Sequence, residues 1–322
     1  MIRQEEFQNA KALVAENESL RVICLPEFGG KLVSLFDKRI DKEYLFQNPG
    51  NAFRHAETGS DFSDFEACGL DDAFPSVDAG SVVVGEALVS YPDHGEIWSA
   101  PFTHMEKDGV ISLIYTSALL PYLYEKTYSL DGDSLIIEYL IRNTGKFSFP
   151  CIWTLHCLLS YQEDMDLIFP DDTQEVVNAF TSPRLGPLGT AYPFPMALTP
   201  EKEVIDFRKV TSPTIPSMEK FYIHHKVSEG RCGVRYRQSK SALWFEYDEK
   251  KLPYLGFWKT LGGFRGDFNC ALEPTNGFYD SIERARHNGA CPVLFPSEEL
   301  VFSIRIQSAC DKGEVQRNAY SR

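Results

Sequence analysis

Residues 124–143 read YEKTYSLDGDSLIIEYLIRN, and their period decides the fold class. Lys126, Tyr128 and Leu130 alternate with Glu125, Thr127 and Ser129; after Asp131-Gly132, Leu135, Ile137, Tyr139 and Ile141 resume one face. Side chains two residues apart share a face in an extended strand, whereas a helix would bring i and i+3 or i+4 together. Asp-Gly between alternating runs predicts a β-hairpin, because a tight primed turn needs positive φ and glycine adopts it freely. Asn143-Thr144-Gly145 closes the second strand with the same turn chemistry.

Outward from this hairpin the same period recurs. Further strands are predicted at 13–16, 21–25, 31–36, 81–90, 110–117, 152–160, 233–237, 242–247, 269–273 and 300–307, with turn residues between them. Helical patterns are scarce, the best being 280–287, within YDSIERARH. Many strands and almost no helix predict an all-β sandwich or barrel. The proline-rich stretch 182–200 is too apolar for a linker and is read as a loop packed on a sheet. Without repeats or a dividing linker, residues 1–322 are read as a single domain.

Composition narrows the function classes. The formal net charge of −14 repels nucleic acid and anionic membrane surfaces, so neither is an expected partner. No apolar run approaches the ~20 residues that span a bilayer, and the first twenty residues lack a signal-peptide core. The eight cysteines form no CxxC pair and sit mostly among apolar neighbours, as reduced thiols do. The expectation is a soluble, cytoplasmic protein, monomer or homodimer, acting on a small molecule.

Three segments carry polar groups in apolar or turn-rich settings. In FPCIWTLHCLLS (149–160), Cys151, Trp153, Leu155 and Cys157 form one apolar face, while Thr154 and His156 share the other. An imidazole facing a cleft is suited to proton transfer near neutral pH; a core histidine bonded to a carbonyl is the alternative. In NCALEPTNGFYD (269–280), Glu273 follows an apolar pair and precedes Pro274, where a strand is expected to end. Partial burial there makes a carboxylate a competent base; a strand-end ion pair with lysine is the alternative. In YPDHGEIWSAPF (91–102), a turn presents His94 close to Trp98, which suits a sugar whose C–H face stacks on an aromatic ring. An exposed loop histidine would look the same in sequence.

Taken in order, these pieces resemble the aldose 1-epimerase (galactose mutarotase-like) superfamily. LPEFGGKLVSLFDKRIDKEYLF resembles its opening hairpin, CGLDDAFPSV and YPDHGEIWSAPF the GxDxxFP and DHGxxW loops of a divergent branch of it, and residues 124–156 its central hairpin leading to the catalytic histidine. LPYLGFWKTLGGFRGDFNCALEPTNGFYDSI resembles the strand that carries the catalytic glutamate. The resemblance spans about residues 20–306. It implies a large antiparallel β-supersandwich that interconverts the α and β anomers of a free aldose without a cofactor or metal. Carried over by position, His156 is the acid and Glu273 the base, with His94, Asp72 and Trp98 in the binding shell. Two departures leave the sugar open. The family's arginine ahead of the first histidine is replaced by the Asp71-Asp72 region, and its sugar-binding aspartate does not align to a residue between His156 and Glu273.

Three other readings fit the same residues. One is a non-catalytic sugar sensor on the same scaffold. Another is a hexose-6-phosphate epimerase using Lys259 and Arg265. The third is a metal site built from His94, His156 and Glu273. The pair His224-His225 is read as structural, because neighbours on a strand point to opposite faces.

Overall fold

The computed structural model describes residues 2–211 and 215–310. Within them the hairpin of 124–143 forms as expected, between strands Tyr122–Asp131 and Ser134–Asn143, with Lys126 opposite Tyr139 and Tyr128 opposite Ile137. The turn itself falls one residue later than expected: Asp131 pairs with Ser134, and Gly132 takes the first central position at φ 57°. This hairpin sits inside an eight-stranded sheet, flanked by Val110–Thr116 on one side and Glu299–Cys310 on the other. A thirteen-stranded sheet forms the second layer. Its central strands run in the order Lys31–Asp37, Leu70–Ala73, Thr154–Cys157, Phe268–Thr275, Tyr254–Leu261 and Ser217–Ile223. Every named strand pair in both sheets is antiparallel.

Period-two alternation builds the core between the layers. Leu70, Leu155, Cys157, Cys270, Leu272 and Phe257 from the larger sheet pack with Tyr124, Tyr128, Leu135, Ile137, Ile304 and Ile306 from the smaller one in one cluster of buried side chains. Burying this much apolar surface is the dominant favourable contribution to the fold. The opposite face of the larger sheet is left to the intervening residues, Thr154, His156, Ala271 and Glu273 among them.

Two expected strand limits change. Residues 81–90 are not one strand but a hairpin of Gly80–Val84 and Ala87–Tyr91, reversed at Gly85 with φ 63°. The strand of Glu273 does not stop there but runs through Pro274 to Thr275. Proline is tolerated because the ladder to Thr154–Cys157 has only one rung, Thr154 opposite Thr275. The next pairing on that edge is Cys270 with Leu159, so residues 271–274 have no partner there and Pro274 interrupts nothing on that side. Stretch 182–200 does pack onto the structure, and it contributes the short strands Ala191–Pro193 and Met196–Leu198. The helical pattern becomes one α-helix, Ile282–His287, capped by the Ser281 side chain on the Arg284 N–H. No helix among the described residues is long and apolar enough to cross a membrane.

Candidate functional site

The interrupted ladder places His156 and Glu273 on facing edges of adjacent strands, and both line one cavity of about 240 Å³. His156 pairs across the sheet with Asp71, and its Nδ1 donates to Asp71 Oδ1 at 2.8 Å. Asp71 is itself held by Lys31, whose Nζ lies 3.2 Å from Oδ2. Burial alone would raise the Asp71 carboxyl. The Lys31 charge and the His156 bond outweigh it and keep the group well below the usual carboxylate range. An anionic partner on Nδ1 fixes the imidazole orientation and leaves Nε2 as the nitrogen for the cavity.

His94 reaches the cavity from the turn between Pro92 and Gly95, in the left-handed region at φ 57°. That conformation is uncommon for a residue with a Cβ and marks a constrained position. The ring is held by Asp93, 2.8 Å from Nδ1, and stacks on Phe62 with centroids 4.0 Å apart. The two histidine rings meet edge-on at 5.3 Å.

Glu273 is buried, and its Oε2 lies 2.7 Å from Lys220 Nζ. Lys220 also reaches Asp280 Oδ1 at 2.8 Å, and the Tyr222 hydroxyl donates to the same oxygen at 2.6 Å. Burial would lower the Lys220 ammonium, but the Asp280 and Glu273 charges raise it above its ordinary value, so it stays a cation. The residue across the sheet from Glu273 is Gly256; a Cβ there would stand 3.2 Å from both Glu273 Oε2 and the Tyr222 ring. Glycine therefore leaves the room in which the carboxylate sits.

Two sequence expectations are corrected. Asp72 was expected in the binding shell, but it points into the core between the sheets, paired with Lys126 Nζ at 2.7 Å and accepting from the Tyr139 hydroxyl at 2.8 Å. Successive strand residues face opposite sides, so only its neighbour Asp71 can reach His156. Trp98 does not line the cavity; it stands behind Phe62 in an edge-to-face contact at 5.2 Å and supports that ring. The aromatic side chains that line the cavity are Trp258, Phe62, Phe180 and Phe264. Lys220, Asp280 and Trp258 were not singled out from sequence. Trp258 had a readable signal, since Gly256 and Trp258 alternate with the apolar Leu255 and Phe257.

The remaining expectations also find their places. Lys259 lies on the core side of its strand, 3.1 Å from Glu219, and Arg265 is near Asp267 at 3.5 Å; neither lines the cavity. His224 and His225 fall just beyond the strand Ser217–Ile223, where they bond Glu175 and the Lys226 carbonyl. Among the described residues no group of three or more His, Cys, Asp and Glu side chains is placed to hold a metal ion. All eight cysteines are free thiols.

Comparison with solved structures places this architecture. A galactose mutarotase-like protein from Clostridium acetobutylicum superposes with a TM-score of 0.69 at 14% identity, over 96% of this chain and 98% of the other. A galactose mutarotase related enzyme from Lactobacillus acidophilus gives 0.67 at 13% identity, over 93% and 98%. The Slr1438 protein of Synechocystis sp. PCC 6803 gives 0.67 at 15%, over 97% and 96%. The fold is the galactose mutarotase-like β-sandwich. At these identities the likeness speaks for the fold alone. A model described as a domain of unknown function, DUF4432, matches residues 190–307. That segment holds Lys220, Trp258, Glu273 and Asp280 and leaves both cavity histidines outside it. No curated protein matches the chain.

Proposed function

We propose that the protein is an aldose 1-epimerase-like isomerase acting on a free sugar, with its active site in the His156–Glu273 cavity and the whole chain as one working domain. The observation that carries this reading is a pair of opposed proton-transfer groups in one cavity, each with its orientation fixed: His156 by Asp71, Glu273 by Lys220.

The chemistry needs no more than this pair. The Glu273 carboxylate takes the proton of the C1 hydroxyl while the His156 imidazolium gives its Nε2 proton to the ring oxygen. The C1–O5 bond breaks, and C1 becomes an aldehyde. After rotation about C1–C2, neutral His156 recovers the proton from O5 as that oxygen closes on the other face of C1. Glu273 returns its proton to the carbonyl oxygen, and both groups end as they began. His94 and Trp258 form the binding shell, one polar and one aromatic.

A sugar phosphate fits less well. Lys259 and Arg265 stand outside the cavity, and Lys220, which does line it, is already shared between two carboxylates.

Anomeric exchange of several free aldoses, followed by NMR, tests the assignment. Glu273→Gln and His156→Asn should each slow exchange by about 10²–10⁴-fold, the usual contribution of one positioned acid or base. Unchanged rates in both variants would sink it. Tight sugar binding with no acceleration by the wild type would favour the sensor instead.

A further inference from the structure

The strand that carries Glu273 carries a second polar side chain into the same cavity. Phe268–Thr275 places Asn269, Ala271 and Glu273 on one face. Asn269 lines the cavity and is only 2% exposed, yet its Oδ1 has no hydrogen-bond partner in the protein. Its two cross-strand neighbours, Thr260 and Ser160, have donors of their own, but both are committed elsewhere. The Thr260 hydroxyl donates to the Asp267 carbonyl and accepts from the Phe264 N–H, and the Ser160 hydroxyl donates to the Leu45 carbonyl. Buried amides are nearly always satisfied, so an orphan beside a cavity calls for a partner from outside the chain.

Resting on the isomerase reading above, we infer that Asn269 is a specificity-determining residue that binds a hydroxyl at the end of the sugar remote from C1. Asn269 and Glu273 are four residues apart, about 13 Å along an antiparallel strand. A pyranose ring hydrogen-bonded at both ends can bridge side chains that lean toward each other over that span. The amide is uncharged, and so are its companions in the cavity wall, Trp258, Phe264, Met218 and Leu158. Charged groups gather instead with Glu273, where Lys220 and Asp280 stand. The remote end of the substrate is therefore a neutral hydroxyl rather than a phosphate or carboxylate.

The test pairs a sugar series with a residue change. Anomeric exchange and saturation-transfer NMR binding are measured for D-glucose, D-galactose and their 3-, 4- and 6-deoxy forms, with wild type and Asn269→Leu. A site built to bond a substrate hydroxyl rejects the analogue that lacks it. Wild type should therefore lose about tenfold or more in rate on one deoxy sugar, and Asn269→Leu should lose that discrimination. Replacing an unsatisfied amide by an apolar group of similar shape should leave Tm unchanged or higher; a lower Tm marks a structural role and counts against the inference. Discrimination unchanged in the variant, or absent from the wild type, overturns it while the isomerase reading stands. If no aldose binds the wild type, the reading of the cavity as a sugar site has failed, and the inference falls with it. Should the leucine variant not fold, Asn269→Ala carries the same comparison.

Discussion

Asp71 and Asp72 are adjacent, identical in type and both buried, yet the strand sends them to opposite sides of the sheet. Each has one lysine, Lys31 for Asp71 and Lys126 for Asp72. Both substitutions strand a buried lysine, so they should differ in what they do to catalysis rather than to stability. Asp72→Ala leaves Lys126 as an uncompensated charge in the core, which costs about 3–5 kcal/mol. Denaturant unfolding should show that loss, while the folded fraction keeps its sugar affinity. Asp71→Asn should lower exchange activity as well, because the His156 ring loses its anionic anchor. It should also change the acid limb of stability. A carboxyl depressed in the fold adds stability that is complete above its unfolded value of about 3.9 and is lost as pH falls toward the folded value. Urea unfolding at stepped pH should give a shallower decline below about pH 4 for Asp71→Asn than for wild type. An equally steep decline would remove Asp71 from that role.

At the scale of the element, the site depends on how two pairs of strands face each other. On one edge of Phe268–Thr275 the ladder to the His156 strand opens. On the other, Gly256 faces Glu273 and leaves space for its carboxylate. Gly256→Ala puts a methyl group 3.2 Å from Glu273 Oε2, so either the carboxylate or the Tyr222 ring must move by a few tenths of an ångström. The expected result is a fall in kcat with KM nearly unchanged and a small loss of stability, since the base shifts while the aromatic wall stays. A KM rise at constant kcat would mean that Gly256 serves binding instead. The same element shows what sequence could and could not reveal. Alternation is local, so most strands, and the opposite facing of Cys157 and His156, were legible. Pro274 misled, because its effect depends on whether a neighbouring strand asks for its missing N–H. The Lys220–Glu273 and Trp258–Ala271 juxtapositions depend on which distant strands become neighbours. No local period encodes that. Asn269 could have been read on the face of Glu273, but its significance lies in the commitments of Thr260 and Ser160, which only the assembled sheet fixes.

For the whole molecule, the backs of the site strands form the core between the sheets, so site integrity and global stability should report on each other. Cys157 follows His156 on the core side, and Cys270 lies between Asn269 and Ala271. Six of the eight thiols are buried, and only Cys291 and Cys310 are partly exposed. Burial pushes Cys68 up to about 11 and Cys24 and Cys270 up to about 12, so these thiols stay protonated while the fold is closed. A thiol reagent at neutral pH should therefore label at most two cysteines quickly, and the other six only as the fold opens. Because a ligand that binds only the folded state stabilises it by about 2.7 kcal/mol at 100 times its Kd, the right sugar should slow the six-thiol phase about a hundredfold. A sugar outside the specificity of the cavity should leave that phase unchanged, and mass spectrometry of the labelled peptides would identify the thiols concerned. Fast labelling of Cys157 or Cys270 in the native protein would contradict the close packing behind the site. Protection by one aldose, lost in Asn269→Leu, would connect the remote hydroxyl of the sugar to the stability of the core beneath it.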